Sequence, residues 1–180
     1  MLSEEDRRTL LELARGTVEA AARGERRPEL KDPSGALREE GAAFVTLRAP
    51  DGDLRGCIGH VEAMEPLWES VREMAEAAAS RDSRFSPVRP GEAADLRIEI
   101  SVLSPMKPLR PEEIVVGRHG LYVRVGGLSG LLLPQVAEEW RWDSAEFLRR
   151  TYEKAGLPPG TPGVQLLGFT AEHFSSQDPP

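Results

Sequence analysis

The sequence has one cysteine, few aromatic residues and fewer basic than acidic side chains. One cysteine excludes an internal disulfide bond. Aromatic residues make up 6% of the chain, and 23 basic residues face 30 acidic ones. Nucleic-acid binding needs a basic stripe with stacking aromatics, so that function is disfavoured.

The apolar runs, such as GLLLP at residues 130–134, are far too short to span a bilayer, and no signal-peptide pattern is present. We therefore expect a cytoplasmic protein with a reduced thiol and no membrane contact.

What the sequence does contain is typical of a globular domain. Its 180 residues are 39% hydrophobic and 29% charged, which is enough to bury one core without a disulfide. We predict a single domain over residues 1–180.

Two segments of similar order predict the fold class. An amphipathic helix capped by Ser3 opens the chain. A strand, turn and strand then cover residues 41–61, and a helix follows Pro66. After the alternating strand 95–105, residues 119–140 repeat the order of hairpin and helix. A helix capped by Asp143 and one last strand over residues 164–174 complete the chain. We predict a compact α+β fold with a mixed, mostly antiparallel sheet and an internal duplication, its halves being residues 36–110 and 111–174.

The segment LRGCIGH, residues 54–60, is the strongest candidate for a functional site. In a strand, Arg55 and Cys57 lie on one face, where the guanidinium would favour a thiolate. The flanking Gly56 and Gly59 would let a ligand or another backbone approach. The alternative is structural, because a free cysteine often fills a core and glycine often marks close packing. Alternation places His60 on the face opposite Cys57, unless a bulge at Gly59 turns the strand.

Other candidate residues each have a structural explanation as well. The segment RDSRF offers Arg81 and Arg84, with Phe85 beside them, as an anion clamp, or a helix end stabilised by cations. Gln135 follows a predicted helix start and could contact a polar ligand or cap the helix. His119 and His173 could act as bases only if the fold brings them to the thiol. We expect Trp140 and Trp142 to pack in the core.

Metal and phosphate motifs are missing from the sequence. No spacing of histidine, cysteine or acidic residues is typical of a metal site, and the glycine-rich GRHG and GGLSG lack phosphate-loop spacing. We predict no metal and no cofactor, and we interpret both glycine segments as turns.

Seven segments in order resemble the AMMECR domain family, known in bacteria as AmmeMemoRadiSam system protein A. They are GAAFVTL, LRGCIGH, RDSRFSPV, EISVLSPMKPL, HGLYV, GLLLPQVA and KAGLP. The resemblance covers roughly residues 10–174, and LRGCIG is its most specific motif. It implies a compact α+β domain with internal repetition and no established activity. Because members are often encoded beside a Memo-like protein and a radical-SAM protein, it also implies these two partners.

The family motifs carry over to residues 54–59 and to Asp82, Arg84 and Phe85, with Ser83 where many relatives have proline. We predict a binding or adaptor domain whose ligand-binding residues are Arg55, Gly56, Cys57, Gly59, His60, Arg84, Phe85 and Gln135. A second hypothesis is an enzyme with Cys57 as nucleophile, Arg55 as its activator and a small anionic substrate on Arg84. RNA binding ranks third.

Overall fold

The first helix, α1 (Glu4–Arg23), is defined by signals at both ends. The Ser3 side chain accepts the backbone N–H of Asp6, and the Asp6 carboxylate accepts the backbone N–H of Ser3, which completes a capping box. The helix ends at Gly24, whose φ of 67° is a conformation that glycine adopts without strain. Leu10, Ala14 and Val18 are fully buried on one face.

The computed structural model describes residues 1–176, and its contacts divide the chain into two units. The first unit comprises residues 1–103 and 172–176. After α1 its elements are α2 (Gly35–Arg38), β1 (Ala42–Arg48), β2 (Leu54–Gly59), α3 (Leu67–Ser80), α4 (Pro90–Ala93) and β3 (Arg97–Leu103). The strand β8 (Ala171–Ser175) joins the same sheet.

The sheet of the first unit has the strand order β2-β1-β3-β8, with β1 antiparallel to both neighbours. Its register places Val45 opposite Ile58 and Ile100, so apolar side chains line one face. That face and the helices α1 and α3 enclose the core, in which Val71 is fully buried. β2 lies at an edge of the sheet, and the LRGCIG segment forms this edge strand.

The second unit spans residues 104–171. It contains β4 (Lys107–Pro108), a 3₁₀ turn (Pro111–Glu113), β5 (Gly120–Val125), β6 (Leu128–Leu132), α5 (Pro134–Glu139), α6 (Ser144–Lys154) and β7 (Gln165–Phe169). The strand order is β4-β7-β5-β6, with antiparallel pairs throughout. Leu121, Ala137 and Phe147 form the centre of one of its apolar clusters.

The predicted fold class is confirmed, since helices pack with antiparallel sheets. The internal duplication stays a prediction. Two features support it: each sheet runs from the second hairpin strand to the first and then to the next long strand, as β2-β1-β3 and β6-β5-β7. In addition, a glycine lies in the second hairpin strand of each unit, at Gly56 and at Gly130. The predicted boundaries at 36–110 and 111–174 also stay predictions.

Two predictions of local structure were wrong. The last strand is not continuous, because it ends at Phe169 and a new strand begins at Ala171 in the other sheet. Trp140 does not pack in the core: it is 67% exposed, and its ring stacks on that of Trp142 at a centroid distance of 6.1 Å.

Candidate functional site

The hairpin of β1 and β2 positions the thiol. Cys57 lies opposite Thr46 in the register, and the Thr46 hydroxyl donates a hydrogen bond to Cys57 Sγ at 3.2 Å. The cysteine is half-buried, so it is neither a fully enclosed core side chain nor a freely exposed thiol. A hydroxyl donor at this distance stabilises negative charge on sulfur.

The two glycines of the motif serve packing on opposite faces of β2. A Cβ on Gly56 would overlap the carbonyl oxygen of Ala78 in α3, and Gly56 is buried. A Cβ on Gly59 would overlap the ring of Phe44, which lies opposite it on β1. These contacts match the structural explanation of the motif's glycines: each lets a neighbouring group approach the strand closely.

The backbone of Cys57 is held by two side chains from the loop after α3. Its N–H donates to Asp82 Oδ2 at 2.9 Å, and its carbonyl oxygen accepts from Arg84 Nη2 at 3.3 Å. A strand beside β2 would supply the same acceptor and donor. Asp82 and Arg84 therefore satisfy the free edge of the sheet at Cys57, in place of a further strand.

Asp82 and Arg84 also bind each other. Two guanidinium nitrogens of Arg84 donate to the carboxylate, at 2.9 Å to Oδ1 and 2.7 Å to Oδ2. These bonds from Arg84 hold the pKa of Asp82 far below its ordinary value; the N–H of Cys57 acts in the same direction, against burial. Asp82 is buried, whereas the Arg84 side chain is 53% exposed and lies over the ring of Phe85 at 5.4 Å. The pair therefore presents an oriented guanidinium and a ring at the surface.

The charge of Arg55 is compensated by a carboxylate outside the predicted set of site residues. Arg55 Nη2 donates to Glu92 Oε1 at 2.7 Å, and Nε donates to Oε2 at 3.3 Å. The same bonds from Arg55 lower the pKa of Glu92. The guanidinium predicted to favour a thiolate at Cys57 is thus directed at Glu92.

The histidines do not provide Cys57 with a base in the described part of the first unit. His60 Nε2 lies 2.7 Å from the Ser70 hydroxyl of α3, on the face away from the thiol. His173 lies beside Ser101, at 3.2 Å. Because β8 is three strand positions from β2, His173 is separated from Cys57 by about 14 Å.

Two residues from the predicted set of candidates belong to the second unit. His119 Nδ1 accepts the backbone N–H of Val115 at 3.2 Å. Gln135 lies in the first turn of α5, a helix of six residues. The structure thus brings Arg55, Gly56, Cys57, Gly59, Arg84 and Phe85 together around one hairpin edge, with His60 behind it.

Three contributing residues were missing from the predicted site: Thr46, Asp82 and Glu92. Strand alternation from a hairpin register could have indicated Thr46, and the family motif already included Asp82. No local sequence pattern could have indicated Glu92, since it lies 37 residues from Arg55.

Two further features are absent from residues 1–176. No cluster of three or more histidine, cysteine, aspartate or glutamate side chains is arranged to hold a metal ion. In the same range, helices long and apolar enough to cross a membrane are absent.

Fold and site together define a class: an α+β protein with a cysteine on an edge strand that is bounded by a carboxylate–guanidinium pair. The AMMECR1 family model matches residues 11–176, and the chain belongs to this family. A protein of Methanothermobacter thermautotrophicus is 44% identical to it, over 96% of this chain and 95% of the relative. A protein of Thermococcus gammatolerans is 45% identical, over 94% and 90%.

A solved structure supports the same relationship. The crystal structure of an uncharacterized protein from Pyrococcus horikoshii superposes with a TM-score of 0.91, at 40% sequence identity. The superposition covers 99% of this chain and 95% of that one. At this identity, the likeness extends beyond the fold to the sequence itself.

Proposed function

We propose that the chain is a binding or adaptor domain whose hairpin edge at Cys57 docks a protein partner, a Memo-like or a radical-SAM protein. The observation that carries the proposal is the pairing of charges at this edge. Asp82 forms an ion pair with Arg84, and Glu92 forms one with Arg55, so these side chains are already ordered in the unbound protein. An ordered surface loses less conformational entropy on binding than a flexible one.

The chemistry of the exposed groups favours a macromolecule over a small anion. A small anion on Arg84 would have to compete with Asp82, which already occupies the guanidinium fork. Arginine and aromatic side chains are, by contrast, enriched among the residues that dominate protein–protein affinity. Arg84 and Phe85 present such a pair next to Cys57.

The direct test is isothermal titration of the purified chain with the purified Memo-like and radical-SAM proteins of the same organism. Phe85→Ala should weaken binding about tenfold or more, the effect of removing a central aromatic contact. Trp140→Ala is the matched control, since Trp140 is an exposed aromatic of the second unit. No association at micromolar concentration, with or without reductant, would contradict the proposal.

A cysteine-dependent enzyme is the second candidate, and the hydrogen bond from Thr46 to the thiol is the observation that favours it. Such an enzyme needs thiol chemistry, whereas docking needs only the shape of the edge. Cys57→Ser should retain the biological activity in a complementation assay if the domain acts by binding. Loss of activity in Cys57→Ser, with partner affinity unchanged, would support the enzyme instead.

The reactivity of the thiol gives an independent measurement. The rate of Cys57 alkylation by iodoacetamide, followed by mass spectrometry from acid to alkaline pH, reports thiolate formation directly. Under the binding proposal, labelling of the folded protein should be slow at neutral pH and below, because docking requires no reactive thiolate. Fast labelling that persists into the acidic range would favour the enzyme.

A further inference from the structure

A groove of about 750 Å³ lies on the second unit, and its lining includes no residue of the hairpin edge. Apolar side chains from three segments line it, among them Leu109, Val115 and Phe169. Its volume falls within the range of pockets that hold small organic molecules. Nothing in the proposed function uses this groove.

Two glycines fix the apolar side chains of the groove. A Cβ on Gly120 would overlap the ring of Phe169, so the ring lies directly on β5. A Cβ on Gly168 would come within 2.7 Å of Leu109, which packs in the same way on β7. The apolar surface is therefore held by the sheet itself, and a ligand would find it already formed.

Three nitrogen-bearing side chains complete the lining. Lys107 and Arg118 are exposed, and neither has an ion-pair partner among residues 1–176. His119 uses Nδ1 to accept the Val115 N–H, so its neutral ring carries the proton on Nε2 and can donate from there. The groove therefore carries Lys107 and Arg118, two cations without an ion-pair partner among the described residues, and a third hydrogen-bond donor at His119 Nε2.

The one acidic side chain in the lining, Glu113, is already paired with an arginine. Arg110 Nη2 donates to Glu113 Oε1 at 2.8 Å, and this bond lowers the pKa of Glu113 to about 2. The acidic charge is therefore paired, whereas the charges of Lys107 and Arg118 are available to a ligand.

We propose that this groove binds a small amphipathic anion, with its apolar body against Leu109 and Val115 and its anionic head at Lys107 and Arg118. Charge complementarity selects the head group, and the apolar lining selects the body. The proposal concerns the second unit alone and is independent of what the hairpin edge binds.

The test is a titration of the ¹⁵N-labelled full chain with 2-naphthoate, followed by amide chemical shifts. The shifts should be confined to the groove, at Leu109, Val115, Arg118 and Gly168. The neutral analogue 2-naphthylmethanol should bind at least about tenfold more weakly, since it lacks the charge-assisted bonds. The double variant Lys107→Glu/Arg118→Glu should lower naphthoate affinity by at least the same factor.

The control is Arg141→Glu/Lys154→Glu, which makes the same change of charge on the second unit outside the groove lining. It should bind naphthoate as the wild type does, and the dispersion of each variant's amide spectrum reports its fold. Equal binding of acid and alcohol, an equal loss in the control, or no shift at millimolar naphthoate would each overturn the proposal.

Discussion

The carboxylate of Asp82 joins two segments of the candidate site. It accepts from the Cys57 backbone and from Arg84, and its side chain is only 5% exposed. A buried carboxylate keeps its charge only when such donors replace the lost water. Asp82 therefore links the edge of the sheet to the loop that carries Arg84 and Phe85.

Asp82→Asn should lower the free energy of unfolding by about 2 kcal/mol, because charge-assisted bonds to Arg84 become neutral ones or are lost. Urea denaturation of wild type and variant at pH 7 measures the difference. Asp95→Asn is the matched control, since Asp95 is exposed, and it should change stability by less than about 0.5 kcal/mol.

The same residue gives a pH dependence of known sign. Its folded-state pKa lies below the ordinary value of 3.8, so the stabilisation is complete above that value and is lost as the pH falls through the folded pKa. The stability difference between wild type and Asp82→Asn should be constant from about pH 8 to pH 5 and should shrink below about pH 4. A difference that stays constant down to pH 3 would argue against a charged Asp82 in the folded state.

At the scale of elements, two glycines allow a strand to lie against a helix. In the first unit Gly56 faces the Ala78 carbonyl of α3, and in the second Gly130 faces the backbone of α6 at Thr151 and of Ala155 just beyond it. Each glycine occupies the third position of its strand, which begins with leucine. The same steric solution thus recurs in both sheets.

Gly56→Ala and Gly130→Ala should each lower stability by about 1–3 kcal/mol, because a methyl group must displace backbone atoms of a helix or its end. Thermal and urea unfolding measure this loss. Gly91→Ala is the control: it lies in α4 with no atom within 4 Å of the added methyl, and it should be neutral or slightly stabilising. Equal effects at all three positions would show that close packing is not the cause.

Helix α6 provides a test of a predicted cap. The Asp143 carboxylate accepts the Glu146 N–H at 2.8 Å. Asp143→Ala should cost about 1 kcal/mol, whereas Asp143→Ser, which keeps a capping oxygen, should retain most of the stability. Circular dichroism during urea unfolding distinguishes the two variants.

Local patterns predicted most elements because the signals are local. The caps at Ser3 and Asp143, and the glycine at the end of α1, act within a few residues of themselves. The break at Thr170 was missed because alternation continues through it. Period-two alternation shows which side chains share a face, but it carries no information about which sheet the strand joins.

The site was only partly predictable for a related reason. The motif identified Cys57 and its glycines, and alternation placed His60 behind them. The contacts from Arg55 to Glu92 and from Cys57 to Asp82 span 37 and 25 residues. They depend on where the loops after α3 return to β2, which is a property of the tertiary fold.

At the scale of the whole molecule, the charge is distributed in pairs. The formal net charge is −7, and many arginines are bound to carboxylates. In α6, for example, Arg149 and Arg150 both bind Glu146 and Glu153. Pairing of this kind leaves little free positive potential for a phosphate backbone.

We therefore expect no tight RNA binding. Filter binding with a structured and a single-stranded RNA at low salt should show weak retention, equal for both. Tight capture that falls steeply with added salt would reverse this expectation, since that dependence is the signature of phosphate contacts.

The position of β8 has a consequence for synthesis on the ribosome. The sheet of the first unit needs residues 171–175 as a strand, although its other strands come from residues 42–103. During translation the β3 edge stays unpaired while residues 104–170 are synthesised. At 5–20 residues per second this synthesis takes about 3–13 s. In that interval the nascent chain exposes an unpaired strand edge to chaperones and to neighbouring chains, and pairing with β8 is the step that removes this edge.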